Sequence, residues 1–283
     1  MSAHRTRQYY NIIYTRFNFS PISSANIGSS VSFRRQVVLS VRLAGHKTYL
    51  PPQTTMSTAT QYVWYGSFGS NLCSERFRCY LQGGRVAGMS VSQPGCRDTT
   101  VPFRVPPTLD CPTTSMVVPH RLFFAQVSPW WDNGGVAFLD VSSVEDDESW
   151  FSHLRLWRTT LEQYNDIFAQ ENGLDPNDED AFERFTAEDV HELASSRSGS
   201  HRIRDSWYGY CHGLGFARTG EPILTFTLPP AELRAIRTGA AVDVVNPPSQ
   251  GYHDVICRGL VELGIDRAEA DAYLKSRHVL CNR

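Results

Sequence analysis

The sequence predicts an α+β fold. Strand-like and helix-like segments mix along the chain without the regular rhythm that builds a parallel βαβ sheet. The 283 residues are 41% hydrophobic and 20% charged, enough apolar surface for a globular body. No internal repeat is present, and no apolar run approaches the roughly 18 residues that a membrane-spanning helix needs.

The first strand is read from Tyr62-Val63-Trp64-Tyr65-Gly66-Ser67-Phe68, where five of seven residues are aromatic or β-branched. It closes on Gly69-Ser70-Asn71-Leu72. Such a turn points several backbone N–H groups at one spot, and Gly69 removes a side chain that would keep a ligand away. Ser70 and Asn71 add short polar groups that bond a ligand or close the turn locally. A helix follows over residues 72–81, apolar at 72, 73, 77, 80 and 81, and Gly83-Gly84 stops it. If it starts at Glu75-Arg76-Phe77, its N-terminal dipole favours an anion at the same place. The segment therefore reads as a carboxylate or oxyanion cradle, although such a turn taken alone is more often structural.

Residues 94–119, rich in Pro and Thr, read as a long and mostly irregular connection. Residues 121–124 and 135–141 read as strands bracketing Ser128-Pro129-Trp130-Trp131. The acidic loop Glu145-Asp146-Asp147-Glu148 precedes a short strand, Leu154-Arg155-Leu156-Trp157, and Thr160 caps a helix running to Ala169. Residues 174–206 hold eight acids between Asp175 and Glu192 and read as an inserted acidic helix with a mobile Ser/Arg-rich loop at 195–204. Residues 208–216 and 222–228 form a hairpin around Arg218-Thr219-Gly220. Helices follow over 231–237, 252–263 and 268–276.

The net charge of -2 hides an asymmetry. Residues 1–55 contain seven Lys or Arg and no acid, which leaves 20 basic and 29 acidic residues in the remainder. An acidic body offers no footprint for nucleic acid, so that partner class is set aside along with membrane. The basic, Ser-rich segment 1–55 is expected to be poorly ordered; it reads either as an organelle transit peptide or as a start placed too early, before Met56. The expected location is cytoplasmic, with organelle targeting by residues 1–55 as the other reading. Seven Cys without a C-x-x-C pair argue against a zinc site and a disulfide framework, and the nine His show no metal spacing. No metal and no cofactor are expected.

Four stretches, taken together and in order, resemble the γ-glutamyl cyclotransferase family. An aromatic followed by Gly69-Ser70-Asn71-Leu72 at the end of a first strand is similar to the family's signature. The run from Ser128 through Trp131 to Gly134-Gly135-Val136-Ala137 resembles its Ser-x-x-Trp and Gly-Gly segment. Gln170-Glu171-Asn172-Gly173 lies where the family places its catalytic Glu. Pro247-Pro248-Ser249-Gln250-Gly251-Tyr252 resembles the entry to its last helix. The likeness covers roughly residues 60 to 275. It implies a mixed sheet or small barrel flanked by helices over residues 56–283, with 174–206 as an insertion. Phe68 replaces the common Tyr, and one extra residue separates Glu171 from its Gly, so Glu162 stays open as the other carboxylate.

The resemblance assigns Glu171 the role of general acid/base. In cyclotransfer the substrate's α-amine attacks its own γ-carbonyl and expels an amine as the ring of 5-oxoproline closes. The substrate supplies the nucleophile, so the protein needs only a proton shuttle and a charge cradle. The amides of Phe68, Gly69, Ser70, Asn71 and Leu72 hold the γ-glutamyl group or oxyanion. Tyr208 and Tyr252 resemble family tyrosines that bond the substrate or orient the Glu, with Tyr210 a rival to Tyr208. Trp131, Gly134 and Gly135 shape the pocket wall. The bland alternative is that Glu171 is a solvated helix-end carboxylate with Asn172-Gly173 as its cap.

Three functions stay open at this point. The first is release of 5-oxoproline from a γ-glutamyl amino acid, glutathione or a glutathione conjugate. Members that trim glutathione adducts in the biosynthesis of diketopiperazines such as gliotoxin are among those the sequence resembles. The second is cyclotransfer on a γ-glutamylamine isopeptide. The third is a non-catalytic binding module for a small acidic ligand.

Overall fold

Strand β1 (Tyr62–Ser67) is apolar along its length because both of its faces are covered. Val63 and Tyr65 join one apolar cluster; Trp64 and, just past the strand, Phe68 join the other, as the two-residue period of a strand requires. The computed structural model describes residues 61–100, 115–240 and 245–277. The basic segment 1–55 lies outside them.

Around β1 runs a six-stranded sheet in the order β2-β5-β1-β8-β7-β6. Its other members are β2 (Ser115–Val118), β5 (Ser152–Thr160), β6 (Gly199–His201), β7 (Tyr210–Phe216) and β8 (Pro222–Thr227). Neighbours are antiparallel except β1 and β8, which run parallel. Strands β3 (Arg121–Ser128) and β4 (Gly134–Asp140) form a separate antiparallel hairpin. The architecture is mixed α+β, as expected, but no barrel closes among the described residues. The hairpin meets β8 through a side chain: the Thr227 hydroxyl donates to the Leu139 carbonyl at 2.8 Å and accepts the Leu139 amide at 3.2 Å. A threonine thus stands where a closed barrel would continue its backbone ladder.

Helices α1 (Ser74–Gln82), α2 (Leu161–Glu171) and α3 (Ala187–Ser196) contribute to the cluster that holds Val63 and Tyr65, through Phe77, Tyr164, Phe168 and Leu193. Helices α4 (Pro230–Arg237), α5 (Gln250–Glu262) and α6 (Arg267–Ser276) join the hairpin in the second cluster. Helix α2 leaves β5 directly. Thr160 Oγ1 accepts the Gln163 amide and Gln163 Oε1 accepts the Thr160 amide, both at 3.1 Å, a reciprocal cap worth about 1 kcal/mol.

Three expectations need correction. Residues 115–118 are a strand, not part of an irregular connection, and pair with β5; residues 101–114 lie outside the described set. Strand β5 is longer than its apolar core predicts because Arg155 and Arg158 do not end it. Their guanidinium groups lie over the rings of Trp157 and Tyr62 and pair with Glu262 and Glu221. The stretch 195–204 is not wholly loop: within it β6 adds to the sheet edge against β7, while the expected helix of this segment is α3, with Phe182, Phe185, Val190 and Leu193 buried.

Candidate active site

Residues Ser70–Leu72 form one 3-10 turn between β1 and α1, with the Leu72 amide donating to the Gly69 carbonyl at 3.0 Å. Helix α5 lies directly on it. A Cβ on Gly259 would stand 2.4 Å from the Leu72 carbonyl carbon, so only glycine allows this approach. Part of the proposed cradle is therefore structural. The Leu72 amide closes the turn, and Leu72 and Phe68 are buried in the core rather than turned to a ligand. The N-terminus of α1 does not serve the site either. Its Ser74 amide donates to Glu262 Oε2 at 3.1 Å, and Glu262 is held by Arg155.

What the turn offers instead is the Asn71 side chain. The Asn71 carbonyl accepts the Trp157 indole N–H at 2.8 Å and the Ser67 hydroxyl at 3.1 Å, which pins the residue. From there Asn71 Nδ2 donates to Glu171 Oε1 at 2.6 Å. The Tyr65 hydroxyl donates to the same oxygen at 3.4 Å and accepts from Asn71 Nδ2 at 3.2 Å. Thus β1, the turn and the C-terminal end of α2 converge on one carboxylate. Burial pushes the Glu171 carboxyl above its ordinary range, while the Arg76 charge and hydrogen bonds from Tyr80, Asn71 and Tyr65 pull the other way. A raised carboxyl that is hydrogen-bonded yet only half-buried is suited to exchanging a proton.

Glu171 opens onto a cleft of about 280 Å³. Ser70, Trp131, Trp207, Tyr208 and Tyr252 also line it. Ala137 sets the polarity of the two tyrosines. Its amide donates to the Tyr252 hydroxyl at 3.2 Å, and its carbonyl accepts from the Tyr208 hydroxyl at 2.8 Å. The Tyr252 oxygen also takes the Ser70 amide, so its own proton is left to donate. Tyr208 has spent its proton, so its oxygen accepts. Burial pushes the Tyr252 phenol up to about 12, so it stays a neutral donor. A Cβ at Gly69 would stand 2.8 Å from the Tyr252 hydroxyl, which explains that glycine by the tyrosine rather than by a ligand.

The structure brings Ser70, Asn71, Trp131, Glu171, Tyr208 and Tyr252 together. Gly134 and Gly135 are not wall residues: they admit the chain before α5. A Cβ at Gly135 would fall 1.8 Å from the Asn246 carbonyl oxygen, and one at Gly134 2.2 Å from the Ser249 amide nitrogen. Glu162, the other carboxylate, is 56% exposed and paired with Arg97, off the cleft. Tyr210 turns towards Gly199 and the rings of His201 and His212. Away from the cleft, His253 and Cys257, one turn apart on α5, meet Asp271 of α6 within 4.8 Å. That proximity was invisible to a search for metal spacing along the sequence, because the third group comes from another helix.

Sequence reasoning missed Tyr65, Arg76 and Tyr80. Arg76 is 2% exposed and lines the cleft; its Nη2 donates to the Tyr80 hydroxyl at 2.8 Å. A signal was available: Arg76 stands on the apolar stripe of α1, one turn from both Leu72 and Tyr80.

No family model matches the chain. Histone deacetylase 5 of Arabidopsis thaliana is 37% identical over 215 residues, a match covering 75% of this chain and 30% of that protein. The chain thus spans less than a third of the length of that relative. Among solved structures, a γ-glutamyl cyclotransferase aligns over 77% of this chain and 88% of its own, with 14% identity and a TM-score of 0.40. At that score the likeness carries no argument for a shared fold or activity. The chemistry has to be read from the cleft.

Proposed function

We propose that this chain is a γ-glutamyl cyclotransferase, with Glu171 as general acid/base. The observation that supports it is a carboxyl raised by burial, in a cleft, held by the side chain of the turn after β1. Among the described residues, neither serine lining the cleft, Ser70 or Ser128, has its hydroxyl hydrogen-bonded to a base, which suits a reaction whose nucleophile belongs to the substrate.

The steps balance without water. Glu171 takes a proton from the substrate's α-ammonium. The freed amine forms a bond to the γ-carbonyl carbon, and the Tyr252 hydroxyl donates to the oxygen as charge gathers there. Glu171 returns the proton to the leaving nitrogen as its bond to the carbon breaks, then takes the extra proton from the ring nitrogen and passes it to the departing amine, which leaves as an ammonium while Glu171 is again a carboxylate. Tyr208, accepting through its oxygen, orients the ammonium before transfer. Holding the extended substrate folded on itself supplies much of the acceleration.

The substrate class is a γ-glutamyl amide. Trp130, Trp131 and Trp207 give the cleft an aromatic wall that favours an apolar leaving group, as in a glutathione S-conjugate, over a single small amino acid. The comparisons lend nothing to a diketopiperazine pathway. The test is 5-oxoproline release by the full chain from γ-glutamyl-alanine, glutathione, a glutathione S-conjugate and γ-glutamyl-lysine isopeptide. Release that Glu171→Gln loses is expected. Binding of these compounds without release assigns a binding module instead.

A further inference from the structure

The Arg76 guanidinium has no structural use that accounts for it. Its Nε and Nη1 are buried without a hydrogen-bond partner, and no carboxylate pairs with it among the described residues. Stacking on the Tyr80 ring at 4.1 Å would be served as well by an apolar chain. Exchanging a buried ion for an apolar group of similar volume is often neutral or stabilising, so folding alone does not call for a cation here. What lies next to it is the Glu171 site.

We propose that Arg76, acting through the Tyr80 hydroxyl, is the positioning residue that keeps Glu171 in its proton-accepting form. The geometry runs in one direction. Arg76 Nη2 donates to the Tyr80 oxygen, which leaves the Tyr80 proton to be donated onward, and Arg76 and Tyr80 line the same cleft as Glu171. The phenol is thereby free to donate towards the carboxylate. Residues facing Glu171 come from β1 (Tyr65), the 3-10 turn (Asn71), α1 (Arg76 and Tyr80), the segment before β7 (Tyr208) and α5 (Tyr252). Within this set Arg76 alone carries a charge. Burial drives Glu171 towards its neutral form, and the guanidinium is the largest influence opposing that drift. A lysine or arginine in direct contact would lock the carboxylate in an ion pair; one placed behind a phenol biases it while leaving its oxygens open to substrate.

The catalytic use of this role, as distinct from the ionisation of Glu171 itself, rests on Glu171 being the proton acceptor of the proposed reaction. The full chain is compared with Arg76→Met, Arg76→Gln, Arg76→Lys and Tyr80→Phe by two readouts. Infrared titration follows the Glu171 carboxyl itself, its band assigned by loss in Glu171→Gln and read without turnover. The second readout is the acid limb of kcat/KM for 5-oxoproline release. In the neutral variants both should move to higher pH by about one unit or more. Arg76→Lys should restore most of the shift, and Tyr80→Phe should give a smaller one. An unmoved carboxyl band in folded Arg76→Met and Arg76→Gln overturns the role. A raised KM with an unmoved acid limb also overturns it and assigns the guanidinium to a substrate anion. A moved band with no 5-oxoproline from any substrate would instead sink the reaction and leave the role of Arg76 standing.

Discussion

At the scale of single residues, the role proposed for Glu171 comes at a cost to folding. Its carboxyl is raised by burial, so the folded chain holds this proton more tightly than the unfolded chain does. The sign follows: its contribution to stability falls as pH rises through the unfolded carboxylate value and towards the folded one. Glu171→Gln should therefore melt above wild type at pH 8, and the difference should vanish below about pH 4, where both side chains are neutral. Calorimetry at the two pH values checks this. The same variant should lower kcat by roughly 10²–10⁴-fold. Tyr252→Phe removes a cleft phenol whose proton is free for the oxyanion; steady-state kinetics should show kcat reduced with KM little changed. Tyr208→Phe should act mainly on KM. From sequence, Glu171 and Tyr252 were readable because motifs frame them. Arg76, Tyr80 and Tyr65 were not, because an arginine and two tyrosines on buried faces look like framework until a carboxylate is found beside them.

At the scale of elements, the site depends on one close approach and one helix cap. Gly259 lets α5 settle on the 3-10 turn, and α5 carries Tyr252. Gly259→Ala should push the helix off the turn and destabilise the chain by about 1–3 kcal/mol, with activity lost alongside; urea unfolding with 5-oxoproline assay reads both. The reciprocal cap of α2 holds the far end of the helix that presents Glu171. Thr160→Ala should cost about 1 kcal/mol in the same unfolding experiment and leave kcat near wild type, since it caps the end of α2 opposite Glu171. Thr160 was legible as a cap because its residue type and position suffice. The roles of Gly134 and Gly135 were not, since a glycine at a backbone crossing and one at a pocket wall read alike.

At the scale of the whole molecule, the α+β class followed from mixed periodicities that local residues impose. The open sheet did not, because closure depends on whether β4 joins β8 by backbone or, as here, through the Thr227 hydroxyl. Nor did the packing of 174–206, whose acids mask buried apolar residues that include Phe182, Phe185, Val190 and Leu193. Those residues make α3 and β6 part of the body, so deleting 174–206 should unfold the chain rather than widen its substrate range. Circular dichroism of the deletion variant decides that point.

In the proposed reaction the substrate's own amine, not water, attacks the γ-carbonyl while Glu171 moves the proton. Product analysis after incubating the full chain with γ-glutamyl-alanine in ¹⁸O-water tests it most directly. Equimolar alanine and 5-oxoproline are expected, the latter free of ¹⁸O, and neither from Glu171→Gln. Glutamate carrying ¹⁸O, or the same 5-oxoproline from the variant, would contradict it.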